Sequence, residues 1–359
     1  MAYTTIDDPS AHFHTRLYTA TGNAISVTND ANAGDFQPDW IWLKSRNNAT
    51  NHNVFDSSRG QTKRLYPNTA DQEDTVGTFA LDSNGFSIGG SGSSGIGDIN
   101  VANKTMVAWQ WKANGGTTSS NTDGDITTTV QTNSTAGFSI ITYTGNGNNL
   151  ATIGHGLGAT PDFAVVKQRS SSSNTLRWFV KIPAVCGNSE ILEWDTTNGK
   201  SDSGNGIETM GSSTITLGID TGNVNATNES SATYVCYAFK NIKGYSKIGK
   251  YTGNGNANGP FIYTGFKPAW VLAKRTDGNG NDWRIADSKR DPFNIVDGRI
   301  RANTSAAEDD NNQFDFLSNG FKLRTDAGDL NGTSGHTFIY MAFAENPFVS
   351  SKGTPTTAR

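Results

Sequence analysis

Several things are scarce in this chain, and each scarcity removes a class of answer. Only Cys186 and Cys236 are present in 359 residues, too few for a disulfide scaffold of this size, so two reduced, buried thiols are expected. Charged residues make up 17% of the chain and the net charge is -4, which leaves no basic footprint for neutralising phosphates and argues against nucleic acid as a partner. No apolar run approaches the roughly 20 residues that span a bilayer, and "MAYTTIDDPSAHFHTRLY" has neither a basic n-region nor an apolar h-region. A soluble protein without a signal peptide is expected. Good helix formers are sparse too. Gly, Asn, Ser and Thr dominate, with 40 glycines, and that composition suits turns between strands.

Self-similarity is the informative signal, because a repeat decides the architecture. Three copies of one unit open with "RLYTATGN" (from Arg16), "ITYTGNGN" (from Ile141) and "GKYTGNGN" (from Gly249). Each continues with a proline, an aromatic two positions on and an apolar run that carries a lysine: Pro38, Trp40 and Lys44; Pro161, Phe163 and Lys167; Pro268, Trp270 and Lys274. Each closes with an apolar strand, "TMVAWQW" (from Thr105), "TYVCYAF" (from Thr233) or "TFIYMAF" (from Thr337). Both alternating residue sets of these closing strands are apolar, as in strands covered on both faces. The proline suits the first residue of a strand or an edge.

The first and third copies also share Asn68 with Asn303, Glu73 with Glu308, and "DSSR" (from Asp56) with "DSKR" (from Asp287). The middle copy diverges over residues 178–225. The acidic stretches "NTADQED" (from Asn68) and "NTSAAEDD" (from Asn303) are expected to form single helical turns with Asn as N-cap.

The reading is an all-β protein of three tandem, related antiparallel β-sandwich or jelly-roll-like domains. Their expected extents are residues 1–116, 117–243 and 244–348, with a linker at 114–136 in which "ITTTVQT" could contribute a strand, and a C-terminal tail at 349–359.

Chemical motifs are weak. Gly145-Asn146-Gly147 lacks the third glycine, following helix and later acid of a dinucleotide fingerprint. Asn-Gly instead suits the positive φ of a type I′ hairpin turn. Asn146 and Asn254 are still candidate rim contacts, since loops on rigid scaffolds carry binding. Asp277, Asn279 and Asn281 alternate as in the start of a calcium loop but lack the distal glutamate. His12 and His14 would share one strand face and gather a metal on a trimer axis, outside any zinc spacing. No cofactor is expected. Trp40, Trp109, Trp111 and Trp270 recur at landmark positions and read as core, whereas Trp178, Trp194 and Trp283 are surface candidates for ligand contact. No nucleophile–base signature appears, and a carboxylate pair for glycan cleavage would leave none.

The ordered set "YTTIDDPSAHFHTRLYTATGN", "YTGNGN" with "HGLGATPDFAVVKQR", "FDSSRG" and "YMAFAENPF" resembles a family of virion proteins from marine and cyanobacterial tailed phages, tail-fibre-like or structural proteins, from Tyr3 to Phe348. The resemblance carries no catalytic residues. It implies a non-enzymatic virion protein, assembled in the host cytoplasm, that attaches to the host surface as a tail fibre or tail-associated adhesin. Partners would be other virion proteins and a host surface glycan or protein, and the chain would be a homo-oligomer with a trimer favoured. The alternatives are a capsid or tail decoration protein and, third, a glycan-degrading tailspike.

Overall fold

A computed structural model of the chain describes residues 3–30, 35–170, 176–202, 204–218, 226–332 and 334–355. The described residues hold strands and one 3-10 turn, Pro9–Ala11, and no helix among them is long and apolar enough to cross a membrane. The protein is all-β, with three related antiparallel units, as the repeat leads one to expect.

Each unit is built on the same four strands. The opening strands are Phe13–Thr19, Phe138–Thr144 and Ser246–Thr252, and the closing strands are Thr105–Trp111, Thr233–Phe239 and Thr337–Pro347. The proline strands are Trp40–Ser45, Phe163–Gln168 and Phe266–Arg275; the outer strands are Asn53–Asp56, Trp178–Lys181 and Arg284–Asp287. In every unit the sheet order is opening, closing, proline, outer, so the doubly apolar closing strand lies in the interior. Pro38 and Pro161 stand just before their strands, whereas Pro268 lies inside its strand at a register shift, where a ladder bond is already missing.

A smaller set of strands packs on one face of each large sheet. In the first unit this layer is Ile25–Val27, Gly85–Ile88 and Phe79–Asp82, and Phe79 stacks on Phe55 with ring centroids 4.0 Å apart. In the second it is Thr152–Gly154, Thr214–Leu217 and Ile207–Met210. In the third the chain curls continuously from the outer strand through Val296–Arg301 and Asp309–Leu317 to Gly320–Leu323 and Phe261–Tyr263. Each unit therefore owns a private apolar core.

The other face of each large sheet has no private partner, and the three faces meet. One cluster joins Trp40, Trp42, Trp109 and Trp111 to Phe163, Trp178, Trp194, Tyr237 and Phe239 and to Trp270, Trp283, Met341 and Phe343. The last residues of the three seven-residue closing motifs touch at its centre: Trp111 lies 5.5 Å from Phe343 and 6.5 Å from Phe239, and those two are 5.8 Å apart. The units are thus three walls around one shared aromatic core, arranged with an approximate internal threefold.

Three expectations need correction. Residues 114–136 are not purely a linker: the strand open to "ITTTVQT" forms as Thr128–Asn133, and with Ser119–Asn121 it extends the second unit's large sheet beyond its opening strand. The acidic stretches from Asn68 and from Asn303 form no helical turn, because their asparagines serve elsewhere: Asn68 accepts from His52 N and Asn303 from Trp283 N, both at 2.8 Å. The middle unit is alignable through most of its divergent stretch, by register if not by residue type; residues 203 and 219–225 of it lie outside the described residues.

Candidate functional site

All eight tryptophans are buried, including Trp178, Trp194 and Trp283, which removes them as surface candidates. Trp178 and Trp283 correspond by strand register to His52, and the three make one recurring bond between units. Trp178 Nε1 donates to Tyr66 O at 2.9 Å, Trp283 Nε1 donates to Glu193 O at 3.0 Å, and His52 Nε2 lies 3.0 Å from Arg301 O. Trp194 packs 5.1 Å from Trp42 and 6.1 Å from Trp283. Shared cores are invisible to a reading that assigns each unit its own interior, and this is why these rings looked peripheral.

Three seams join the units, and two are built from the same charged chain. Between units one and two, Arg169 grips Glu73 at 2.8 and 2.9 Å, Glu73 accepts from Arg59 at 2.7 Å, Arg59 pairs with Asp56, and Asp56 accepts from Tyr237 at 2.6 Å. Between units three and one, Arg46 grips Glu308 at 2.8 Å twice, Glu308 accepts from Arg290 at 3.2 Å, Arg290 pairs with Asp287 at 2.6 Å, and Asp287 accepts from Trp109 at 3.0 Å. Arg59, Asp56, Arg290 and Asp287 have fully buried side chains. Burial alone would raise the glutamates' pKa, but the flanking guanidiniums win and hold Glu73 and Glu308 below the ordinary carboxylate value.

The third seam, between units two and three, has lost every member of that chain. Register and turn position place Ile182 where Asp56 and Asp287 stand, Val185 where the buried arginines stand, Lys200 for the glutamates, Thr276 for the gripping arginines and Met341 for Tyr237 and Trp109. The backbone contact survives: Lys200 N donates to Thr276 O at 2.7 Å, as Glu73 N does to Arg169 O and Glu308 N to Arg46 O. Losing the acid, the arginine and the phenol or indole together is physically consistent, since any one left alone would be a stranded polar group. A cleft of about 370 Å³ opens on this seam, lined among others by Val185, Cys186, Lys200, Lys250, Asp277 and Thr337. Cys186 and Cys236 are free and buried, and burial raises both thiols' pKa.

The suspected calcium loop belongs to this third seam and is fully engaged in holding it. Asp277 accepts from Arg275 at 2.8 Å and from Thr337 N at 2.9 Å, and Asn279 Oδ1 accepts from Gly199 N at 2.9 Å. Asn281 donates to Gly278 O and Asn279 O, and its backbone N donates to Thr197 O at 3.2 Å. The two histidines do not share a strand face. His12 caps the 3-10 turn with its ring 5.8 Å from that of Tyr245, while His14 is buried 3.5 Å from Asp30 and is pushed by burial to a pKa of about 4. Among the described residues no group of three or more His, Cys, Asp or Glu could hold a metal ion.

The Gly-Asn-Gly loops are structural, but not as hairpin turns, because the opening strand does not pair with the strand that follows it. Each loop folds over a buried asparagine. Asn228 Nδ2 donates to Asn146 Oδ1 at 2.8 Å and Asn148 O at 2.7 Å; Asn331 Nδ2 donates to Asn254 Oδ1 at 3.0 Å and Asn256 O at 2.7 Å. Asn100 plays the same part under the first unit's loop, with Nδ2 2.7 Å from Asn23 O. The first glycine is required by closeness: a Cβ on Gly145 would stand 2.1 Å from Glu229 O. The second supplies a positive φ, +75° at Gly147 and +65° at Gly255. Asn146 and Asn254 remain exposed at the rim, with their side-chain oxygens already committed.

The recurring lysines were singled out by sequence only as landmarks, and they are a functional part of the scaffold. Lys44, Lys167 and Lys274 are buried with no exposed surface, and their ammonium groups donate to backbone carbonyls: Lys44 to Ser45 O (2.8 Å), Lys274 to Asn281 O (2.7 Å), Lys167 to Leu176 O. Burial lowers their pKa values to about 8, 7 and 8 in that order.

A second cleft, of about 300 Å³, lies on the seam between units one and three beside His14, Thr15, Asp30, Ser288 and Lys289. Asp30 pairs there with Lys289 at 3.0 Å and with Arg16. These two clefts sit at the non-equivalent parts of an otherwise repeated architecture, and they offer mixed charge and hydroxyl groups suited to polar ligands.

No curated protein and no solved structure matches the chain. Residues 8–347, all three walls from the turn before the first opening strand to the end of the last closing strand, match one family, and the chain belongs to it: the family described as Domain of unknown function (DUF7483).

Proposed function

We propose that this chain is a non-enzymatic virion protein of a tailed phage, a tail fibre or tail-associated adhesin that engages the host surface multivalently. The observation that carries the reading is the shared aromatic core with its ion-paired seams, which holds three loop rims at fixed separations. Fixed spacing is what multivalent attachment uses. Contacts worth only about -4 kcal/mol each, or millimolar, become effective when rigidly presented together at high effective concentration. The arginine and glutamate side chains of the seams are committed to one another, which supports a scaffold role. The homo-oligomer expected from sequence stays part of the proposal, and sedimentation of the purified chain reads it directly.

The test is location and competition. Gold-labelled antibody against the chain should mark the tail of intact particles, and the purified chain should slow particle adsorption to host cells. Labelling spread over the shell, with no effect on adsorption, would sink the adhesin reading in favour of a decoration protein.

A further inference from the structure

The opening strand is the edge of the four-stranded wall in every unit, and two of the three edges are covered by the chain itself. In the second unit Thr128–Asn133 pairs with the edge and sets Gln131 opposite Ile140. In the third, the Asn241 side chain imitates a strand: Ile248 N donates to Asn241 Oδ1, Asn241 Nδ2 donates to Ile248 O at 3.2 Å, and Ile242 bridges to Ser246. Thr15 is the residue of the first unit that corresponds to Ile140 and Ile248.

Among the described residues the first unit lacks such a cover, for a reason written in its sequence. Asp8 and Pro9 stand where Asn241 and Ile242 do. Pro9 has no N–H, and the Asp8 carboxylate has no donor and instead accepts from Ser10 N at 3.0 Å, starting the 3-10 turn. Lys112 N donates to His12 O at 2.9 Å and Ala20 N to Lys104 O at 2.8 Å. By the antiparallel alternation, His14 and Arg16 turn their backbone to the closing strand while Phe13, Thr15 and Leu17 turn theirs outward. Among the described residues that outward backbone has no backbone partner, and the Thr15 hydroxyl, 4% exposed, has no partner at all.

The cleft between units one and three runs along this edge. Ser288 and Lys289 on its far wall correspond to Ser57 and Ser58, which in the first seam receive the Gln131 amide, 2.9 and 2.8 Å from its Nε2.

We propose that the edge Phe13–Leu17 and the adjoining cleft take up an extended strand of a partner polypeptide, antiparallel to the opening strand, with Asn or Gln opposite Thr15. The occupant is a polar Thr-, Gln- and Asn-type strand because that is what covers the corresponding edge of the second unit. Main-chain bonds supply affinity, and the amide in the cleft supplies register.

The probe is a synthetic peptide of residues 126–133, "ITTTVQTN", added to the full chain. Hydrogen exchange at the Thr15 and Leu17 amides should slow about tenfold or more on saturation, a protection typical of new ladder bonds. A peptide with Gln131→Val should bind about fivefold more weakly, as should a Thr15→Val chain whose urea midpoint is unchanged. No slowing at millimolar peptide would overturn the proposal. So would protection that grows with protein concentration and needs no peptide, since the occupant would then be a second copy of the chain.

Discussion

Replacing Asp287 with isoleucine would give the seam between units three and one a residue that the third seam already carries at Ile182. Alone, Asp287→Ile leaves the fully buried Arg290 guanidinium without its 2.6 Å partner, orphans Trp109 Nε1 and removes the acceptor for the amides of Lys289 and Arg290. Arg290 then keeps only its longer 3.2 Å contact to Glu308, and breaking a buried pair in this way costs about 3–5 kcal/mol. Adding Arg290→Val completes the Ile182/Val185 pattern and removes that charge. What remains is the loss of the turn amides and the indole, at about 1 kcal/mol each, together with the Gly298 and Ile285 carbonyls that Arg290 had served; Glu308 loses its 3.2 Å contact but keeps both bonds from Arg46. The double variant should therefore be more stable than Asp287→Ile by about 2 kcal/mol, a coupling of opposite sign to additive damage. Urea unfolding followed by tryptophan fluorescence measures it. If the double variant is no more stable than the single one, the correspondence drawn between the seams is wrong.

Four other tests follow from the same structure. Lys44, Lys167 and Lys274 sit at about 8, 7 and 8 when folded against 10.5 unfolded, so the unfolded chain binds more protons between those values and stability should rise from about pH 7 to pH 9.5; a flat or falling urea midpoint would contradict this, and Lys167→Met should flatten the slope. Residues 1–116 expressed alone would expose Trp40, Trp42, Trp109 and Trp111 and should aggregate or bind a hydrophobic dye; a monodisperse, cooperatively folding fragment would refute the shared core. Asn331→Ala removes three donor contacts from a fully buried position and should cost about 2–3 kcal/mol in denaturant unfolding, while Asn146→Ala at the exposed rim should cost under about 1 kcal/mol. Cys186 and Cys236 should react with a thiol reagent only after unfolding; fast labelling of the native chain at pH 7 would contradict their burial.

The repeat was legible because it is carried by residues whose types are fixed by geometry. Tyr18, Tyr143 and Tyr251 each donate to a loop carbonyl, the lysines each fill a carbonyl pocket, and the second loop glycines meet a positive φ. The strand character of the closing motifs was legible from two apolar faces. What covers those faces was not: a period of two reports that a side is buried and says nothing about whose side chains bury it. Hence Trp178, Trp194 and Trp283 read as surface when they in fact join units. The middle unit escaped alignment because its seam changed as a set, acid and base giving way to Ile182 and Val185, so that residue type no longer tracked position. Gln131, buried with no exposed surface in a stretch that looks like linker, carried no signal beyond its short apolar-alternating neighbourhood.

The seams run head to tail: each wall presents one surface to the wall before it and another to the wall after it, and the ring closes after three. An interface of that kind does not record which polypeptide supplies the next wall. A unit displaced from its own ring could complete a neighbouring chain's ring instead, and what disfavours such exchange is the short connection between units two and three and one seam chemically unlike the other two. The worn, uncharged third seam then acts as a direction mark, because only one of the three joints accepts an apolar turn, and the order of the walls around the axis is set by that difference.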